Sequence, residues 1–243
     1  MEPWFAEATA VDALEAAICF TVSDKFYFGP DRPSDPGDLA KLVVPLVPPD
    51  ISRVVPSLVR VSEAWGHEDA LVNYYRQIIE LAREHNKNFN SIRHYFWMRA
   101  FLWNSDAEVS VSFPWYDSLS EIEGLFGKLE GVDSGLVTND VDQGWAMEIH
   151  AEQGALFIRE RDPDSDETYV NVRVPRHELV RELNRLRHQA KSIVSYLTQA
   201  LGADVWTTYV RVEPSFGFTV SSELPPAPVA PPKRAWWRFG KGL

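Results

Sequence analysis

Residues 145–174 read WAMEIHAEQGALFIRERDPDSDETYVNVRV. Three stretches in this segment, Trp145–His150, Ala155–Arg161 and Thr168–Val174, are rich in β-branched and aromatic residues and predict strands. Glu152-Gln153-Gly154 predicts a tight hairpin turn between the first two. Asp162-Pro163-Asp164-Ser165-Asp166-Glu167 forms the second connection. Short connections of this kind imply antiparallel pairing, which favours an α+β architecture over a doubly wound parallel sheet.

Toward the C-terminus, Pro175 opens the longest helix. Its residues Leu179, Leu183, Leu186, Ala190, Ile193 and Leu197 step by four and three, a heptad-like seam expected to face the sheet. Gly202 marks its end. Val205–Val212 reads as a last strand. On the N-terminal side, Ser118–Leu129 predicts a helix with Ser118 as cap and Glu121 as its capping-box partner. Glu108–Phe113 alternates as a strand.

Glu68–His85 carries Leu71, Tyr75, Ile78 and Ala82 on one helical stripe. Ser91 to Trp103 is apolar almost all round and predicts a buried or interfacial helix, with Tyr95, Phe96, Trp97, Phe101 and Trp103 as core. Ala6–Ile18 predicts a short amphipathic helix on Val11, Leu14 and Ile18. The prolines and glycines of 29–37 predict a surface loop, and Pro45, Pro48, Pro49 and Pro56 argue against long regular structure there.

The expected fold is therefore α+β: a helical N-terminal half, then a mostly antiparallel sheet packed by a long C-terminal helix. Residues 1–104 form the mainly helical region. Residues 105–221 form the α+β region, either separate or continuous with the first. Residues 222–243 are expected to be a proline-rich disordered tail with a basic-aromatic end.

The chain has 243 residues and a net charge of −11. Four of its 24 basic residues and none of its 35 acidic ones lie in 225–243, so that segment carries +4 and the rest −15. An acidic body repels phosphate backbones, which makes a nucleic-acid partner unlikely and suits a basic protein. The lone Cys19 cannot form an internal disulfide and sits in an apolar run, so it is expected to be a buried thiol. Met1–Phe5 has no basic n-region and no apolar h-region, and no stretch approaches the roughly 18 apolar residues of a membrane span. A cytoplasmic setting is expected.

No residue is singled out as catalytic or metal-ligating, and no cofactor is expected. The six histidines lack the HExxH spacing, and His150-Ala151-Glu152 lacks the Cys-x-x-Cys of a zinc deaminase. The turn carboxylates Asp162, Asp164, Asp166 and Glu167 alternate as in a calcium loop, but Glu167 stands at the glycine position and Arg173 where the bidentate glutamate is needed. There is no nucleophile elbow, Walker loop or dinucleotide fingerprint. His177 and His188, with Arg181 and Arg185, suit a solvated helix side.

In composition (acidic, nine tryptophans, no catalytic motif) the chain resembles immunity proteins of bacterial toxin systems. The leading expectation is a non-enzymatic protein-binding module of that kind, or an adaptor, recognising a basic partner. The alternative is a bacterial enzyme of a type that leaves no short motif. The expected partner-binding residues are Asp162, Asp164, Asp166 and Glu167, with Trp236, Trp237, Arg238 and Phe239 of the tail. Membrane contact through the tail is the lesser expectation.

Overall fold

The computed structural model describes residues 2–30, 41–53, 55–114, 116–142, 144–165 and 167–217. The hairpin segment behaves as its pattern dictates. Strands β9 (Trp145–Glu152), β10 (Ala155–Arg161) and β11 (Thr168–Pro175) pair antiparallel in sequence order. Gln153 and Gly154 both adopt positive φ, 52° and 77°, the pair of left-handed residues that a two-residue hairpin loop requires. Strand β8 (Gly135–Asp142) extends the sheet beyond β9, and the two-residue β1 (Thr9–Ala10) joins β11 in parallel. The order of this five-stranded sheet is β1-β11-β10-β9-β8.

The N-terminal half departs from expectation: it is mostly strands, with the helices in mid-chain and at the C-terminal end. Residues 6–18 are not a helix. A 3-10 helix at Pro3–Glu7 and β1 lead into strand β2 (Glu15–Thr21). Nor is 91–103 a helix. A short α-helix (Phe89–Ile92) and a 3-10 turn (Arg93–Phe96) precede strand β6 (Met98–Asn104).

The physical reason is the same in both cases. Both strands carry apolar or aromatic residues on both faces, so the polar–apolar alternation that marks a half-exposed strand is hidden in their composition. In β6, Met98, Ala100 and Leu102 point into the core, while Arg99, Phe101 and Trp103 take the other face. Strand β2 does the same, with Ala16, Ile18 and Phe20 inward and Ala17 and Cys19 outward. With β5 (Leu58–Arg60) and β7 (Val109–Ser112) they form a four-stranded antiparallel sheet, β5-β2-β6-β7. A small hairpin pairs β3 (Lys25–Tyr27) with β4 (Val43–Pro45).

Among the described residues, five α-helices complete the fold: α1 (Val61–Ala64), α2 (Glu68–Glu84), α3 (Phe89–Ile92), α4 (Leu119–Gly131) and α5 (Arg176–Leu201). Helix α4 begins with the expected capping box between Ser118 and Glu121. Every seam residue of α5 is buried. The seam packs chiefly on β2 of the four-stranded sheet and on α1, α2 and α4, and only marginally on β10 of the hairpin sheet it was expected to cover. One continuous buried cluster runs from Val11 to Trp206 and includes residues of both larger sheets.

Residues 205–212 do not form a strand. The Asp204 carboxylate accepts the Trp206 and Thr207 amides, which a ladder would have needed. The Trp206 and Thr207 carbonyls instead accept the first two amides of α4, Leu119 and Ser120. The segment is thus a strap across a helix end, anchored by the fully buried Trp206.

Candidate functional site

The outward residues of the four-stranded sheet form a groove of about 420 Å³. Small residues make its floor: Ala17 and Cys19 of β2 lie between the taller side chains of the neighbouring strands. Phe101 and Trp103 of β6 form one wall, both half-buried. Leu58 and Arg60 of β5 form the other, with Val55 as a 45% exposed lip. The Arg60 guanidinium lies 4.7 Å from the Trp103 ring centre, a cation–π contact that holds the indole in place.

The β6–β7 turn closes one end of the groove. Asn104 fixes this turn by donating to the Ala13 carbonyl at 2.8 Å and accepting from the Ala107 amide at 2.7 Å. Glu108, which lines the groove, takes a left-handed φ of 54° there. Glu108, Asp106 and Glu15, the cross-strand neighbour of Trp103, are all exposed, so this end is acidic. Burial pushes the Cys19 thiol up to about 12, an effect that nearby Arg60 only partly offsets. Cys19 is therefore held as a neutral thiol near pH 7, a small apolar floor residue. Chemically the groove suits an apolar or aromatic side chain, with cations beside its acidic end.

The outer face of the five-stranded sheet carries a different cluster. Glu148 on β9 accepts from Arg159 on β10 at 2.8 Å and pairs with His150 Nε2 at 2.8 Å. Burial pushes the Glu148 carboxyl up, but the hydrogen bonds from Arg159 and His150 outweigh it and hold the group below its ordinary range. The N-terminal 3-10 helix roofs this cluster. Trp4 sits over the Arg159 guanidinium at 4.7 Å, and Phe5 stacks on Phe157 at 4.2 Å and against His150 at 5.3 Å. The histidine is thus wedged under aromatic rings, an arrangement that fixes its orientation.

The structure does not bring the residues expected from sequence into one site. Asp162 is spent on its own turn: it accepts the Asp164 amide at 2.8 Å and the Ser165 hydroxyl at 2.9 Å, and these bonds lower its pKa. Asp164 and Glu167 are exposed, and Asp166 lies outside the described residues. Trp236, Trp237, Arg238 and Phe239 also lie outside them. Among the described residues no group of three or more His, Cys, Asp or Glu is placed to hold a metal ion. His177 lies beside Glu178 at 3.2 Å on an exposed helix face, where Glu178 pairs with Arg181 and Glu182 with Arg185.

The groove itself was missed from sequence. The signal that could have found it is the alternation of Met98, Ala100 and Leu102 against Arg99, Phe101 and Trp103. Among the described residues no helix is long and apolar enough to cross a membrane. Comparison with protein-family models, with curated proteins and with solved structures finds no match to this chain.

Proposed function

We propose that this chain is a non-enzymatic protein-binding module, of the immunity or adaptor kind, that docks a basic protein partner in the groove on its four-stranded sheet. The observation that carries the reading is the groove's makeup: two half-buried aromatic walls and an apolar lip around a floor of small residues, with exposed carboxylates at one end. Aromatic anchors in such a setting supply affinity, because a partner side chain packed against them buries apolar surface. The net charge of −11 and the acidic end supply attraction at a distance, which raises the encounter rate with a basic surface. The exposed turn carboxylates Asp164 and Glu167 add to that field. The setting we propose is cytoplasmic, where the single cysteine stays a thiol.

The test is capture from native lysate by the full chain and by the full chain carrying Phe101→Ser. A stoichiometric basic protein retained by the first and lost by the second supports the reading. Recovery of no stoichiometric partner, or equal recovery by both, overturns it.

A further inference from the structure

We propose that the groove's resident occupant is the chain's own basic-aromatic end, Lys233–Phe239, which a partner must displace in order to bind. This inference rests on the groove being a protein-docking site and adds how that site is regulated.

Three observations lead to it. The first is chemical fit. Residues 233–239 read KRAWWRF, with two indoles and a phenyl ring among cations. The groove offers aromatic walls at Phe101 and Trp103 and the exposed carboxylate of Glu108, with Glu15 opposite Trp103 on β2 and Asp106 in the β6–β7 turn exposed near the same end. Among the described residues Arg60 is the one cation lining it, and its charge is turned onto the Trp103 ring. The segment is therefore complementary to the groove in both apolar surface and sign of charge.

The second is position. Phe216, next to the last described residue, stacks on Phe96 at 6.2 Å, two residues before β6 begins. The described chain thus ends beside the start of the strand that walls the groove. Phe101 to Asn104 lie five to eight residues beyond Phe96, about 17–26 Å along an extended strand.

The third is length. Residues 218–232 separate the last described residue from Lys233 and contain the proline-rich run 225–232. At the polyproline rise of roughly 3.1 Å per residue, a spacer of that length would reach about 46 Å. Phe96 lies on the core side, so the segment must round the sheet to enter the groove; the spacer's reach exceeds the distance along β6.

Tethering makes weak binding sufficient. A short linker holds its ligand at an effective concentration on the order of 1 mM, so an intrinsic affinity of about 100 µM would fill the groove about 90% of the time. The same arithmetic weakens any competing ligand about tenfold. The occupied groove would be a threshold: only a partner that binds well above that level, or that also engages the tail, displaces it.

The experiment measures fluorescence anisotropy of a labelled synthetic peptide of residues 229–243 against three full-length chains. These are the unsubstituted chain, a Trp236→Ala/Trp237→Ala chain, and that variant with Glu15→Lys and Glu108→Lys added. The expected result is about tenfold tighter binding to the Trp236→Ala/Trp237→Ala chain than to the unsubstituted one. The charge reversals should weaken it again by tenfold or more without shifting the melting temperature, since both glutamates are exposed. Equal affinity for the first two chains overturns self-occupancy, and binding indifferent to the charge reversals overturns the assignment to this groove.

Two further readouts also decide. Concentration-dependent dimerisation abolished by Trp236→Ala/Trp237→Ala would place the segment in a second copy and refute occupancy within one chain. Sedimentation of the peptide with anionic vesicles, with no binding to any of the three chains, would refute docking in favour of a lipid surface. If Phe101→Ser still abolishes partner capture in either case, the groove stands as the docking site and only its self-occupancy fails.

Discussion

Replacing Trp206 with Ala removes the largest completely buried side chain among the described residues. Its ring meets Tyr75 edge-on at 5.0 Å and Phe96 at 5.6 Å, so it joins the strap of 203–217 to α2 and to the approach to β6. A fully buried indole withdraws on the order of 200–250 Å² from water, about 5–6 kcal/mol at 25 cal/mol/Å². That is an upper bound, because the unfolded chain already shelters part of the ring and Ala keeps its β-carbon. Truncations of this type cost about 3–5 kcal/mol, a large share of the 5–15 kcal/mol that holds a domain together. At roughly 2–4 °C per kcal/mol for a chain of this size, the melting temperature should fall by about 6–20 °C. Guanidinium unfolding followed by far-ultraviolet circular dichroism measures the change without relying on the deleted fluorophore. Val212→Ala, in the same strap but 78% exposed, should stay within about 0.5 kcal/mol. A loss below about 1 kcal/mol for Trp206→Ala would refute the strap as part of the cooperative core.

Gly202 ends α5 at a φ of 79°, and a β-carbon there would meet the Gly217 nitrogen at 2.6 Å. Gly202→Ala should therefore cost about 1–3 kcal/mol, read as a shift in the denaturation midpoint; an unchanged midpoint would contradict the close approach. Ser118→Ala deletes one half of the α4 capping box and should cost about 1 kcal/mol by the same assay, with no loss indicating that the strap alone secures that helix end. Glu148 has a depressed folded pKa, so its stabilising contribution is present above the ordinary value of about 4.3 and is lost as pH falls through the folded value. The stability difference between the unsubstituted chain and Glu148→Gln should thus be largest near neutrality and shrink toward zero in acid; a constant difference from pH 7 to pH 3 would contradict the pairing.

The parts of the fold legible in sequence carry a local signal: a tight turn, a cap or an apolar stripe at helical spacing. The hairpins of 145–174, the α5 seam, the α2 stripe and the Ser118 capping box all show it. Strands β2 and β6 carry apolar or aromatic side chains on both faces, so residues 15–18 and 98–103 fit the helical patterns expected over 6–18 and 91–103. Strand β8 escaped for the opposite reason: its outward Leu136 and Val141 are more than half exposed and blur the alternation. Residues 205–212 have strand composition but give two amides to Asp204 and two carbonyls to α4, a tertiary arrangement that composition does not encode. The groove inherits these errors. It is assembled from Ala17, Cys19, Leu58, Arg60, Phe101 and Trp103, drawn from three segments, two of which were read as helices. The acidic turn was conspicuous in sequence because it is exposed, and its first carboxylate proves to be the turn's own hydrogen-bond acceptor.

The claim that the four-stranded sheet's groove is the docking face is tested most directly by site-specific photo-crosslinking in native lysate. A benzophenone side chain would replace Val55, at the lip of the groove, in one full-length chain. In a second it would replace Leu136, 52% exposed on the outer face of the other sheet. A discrete crosslinked basic protein from position 55, absent from position 136 and suppressed by excess peptide 229–243, is the result the account predicts. Crosslinks to that partner from position 136 and none from position 55 would contradict it.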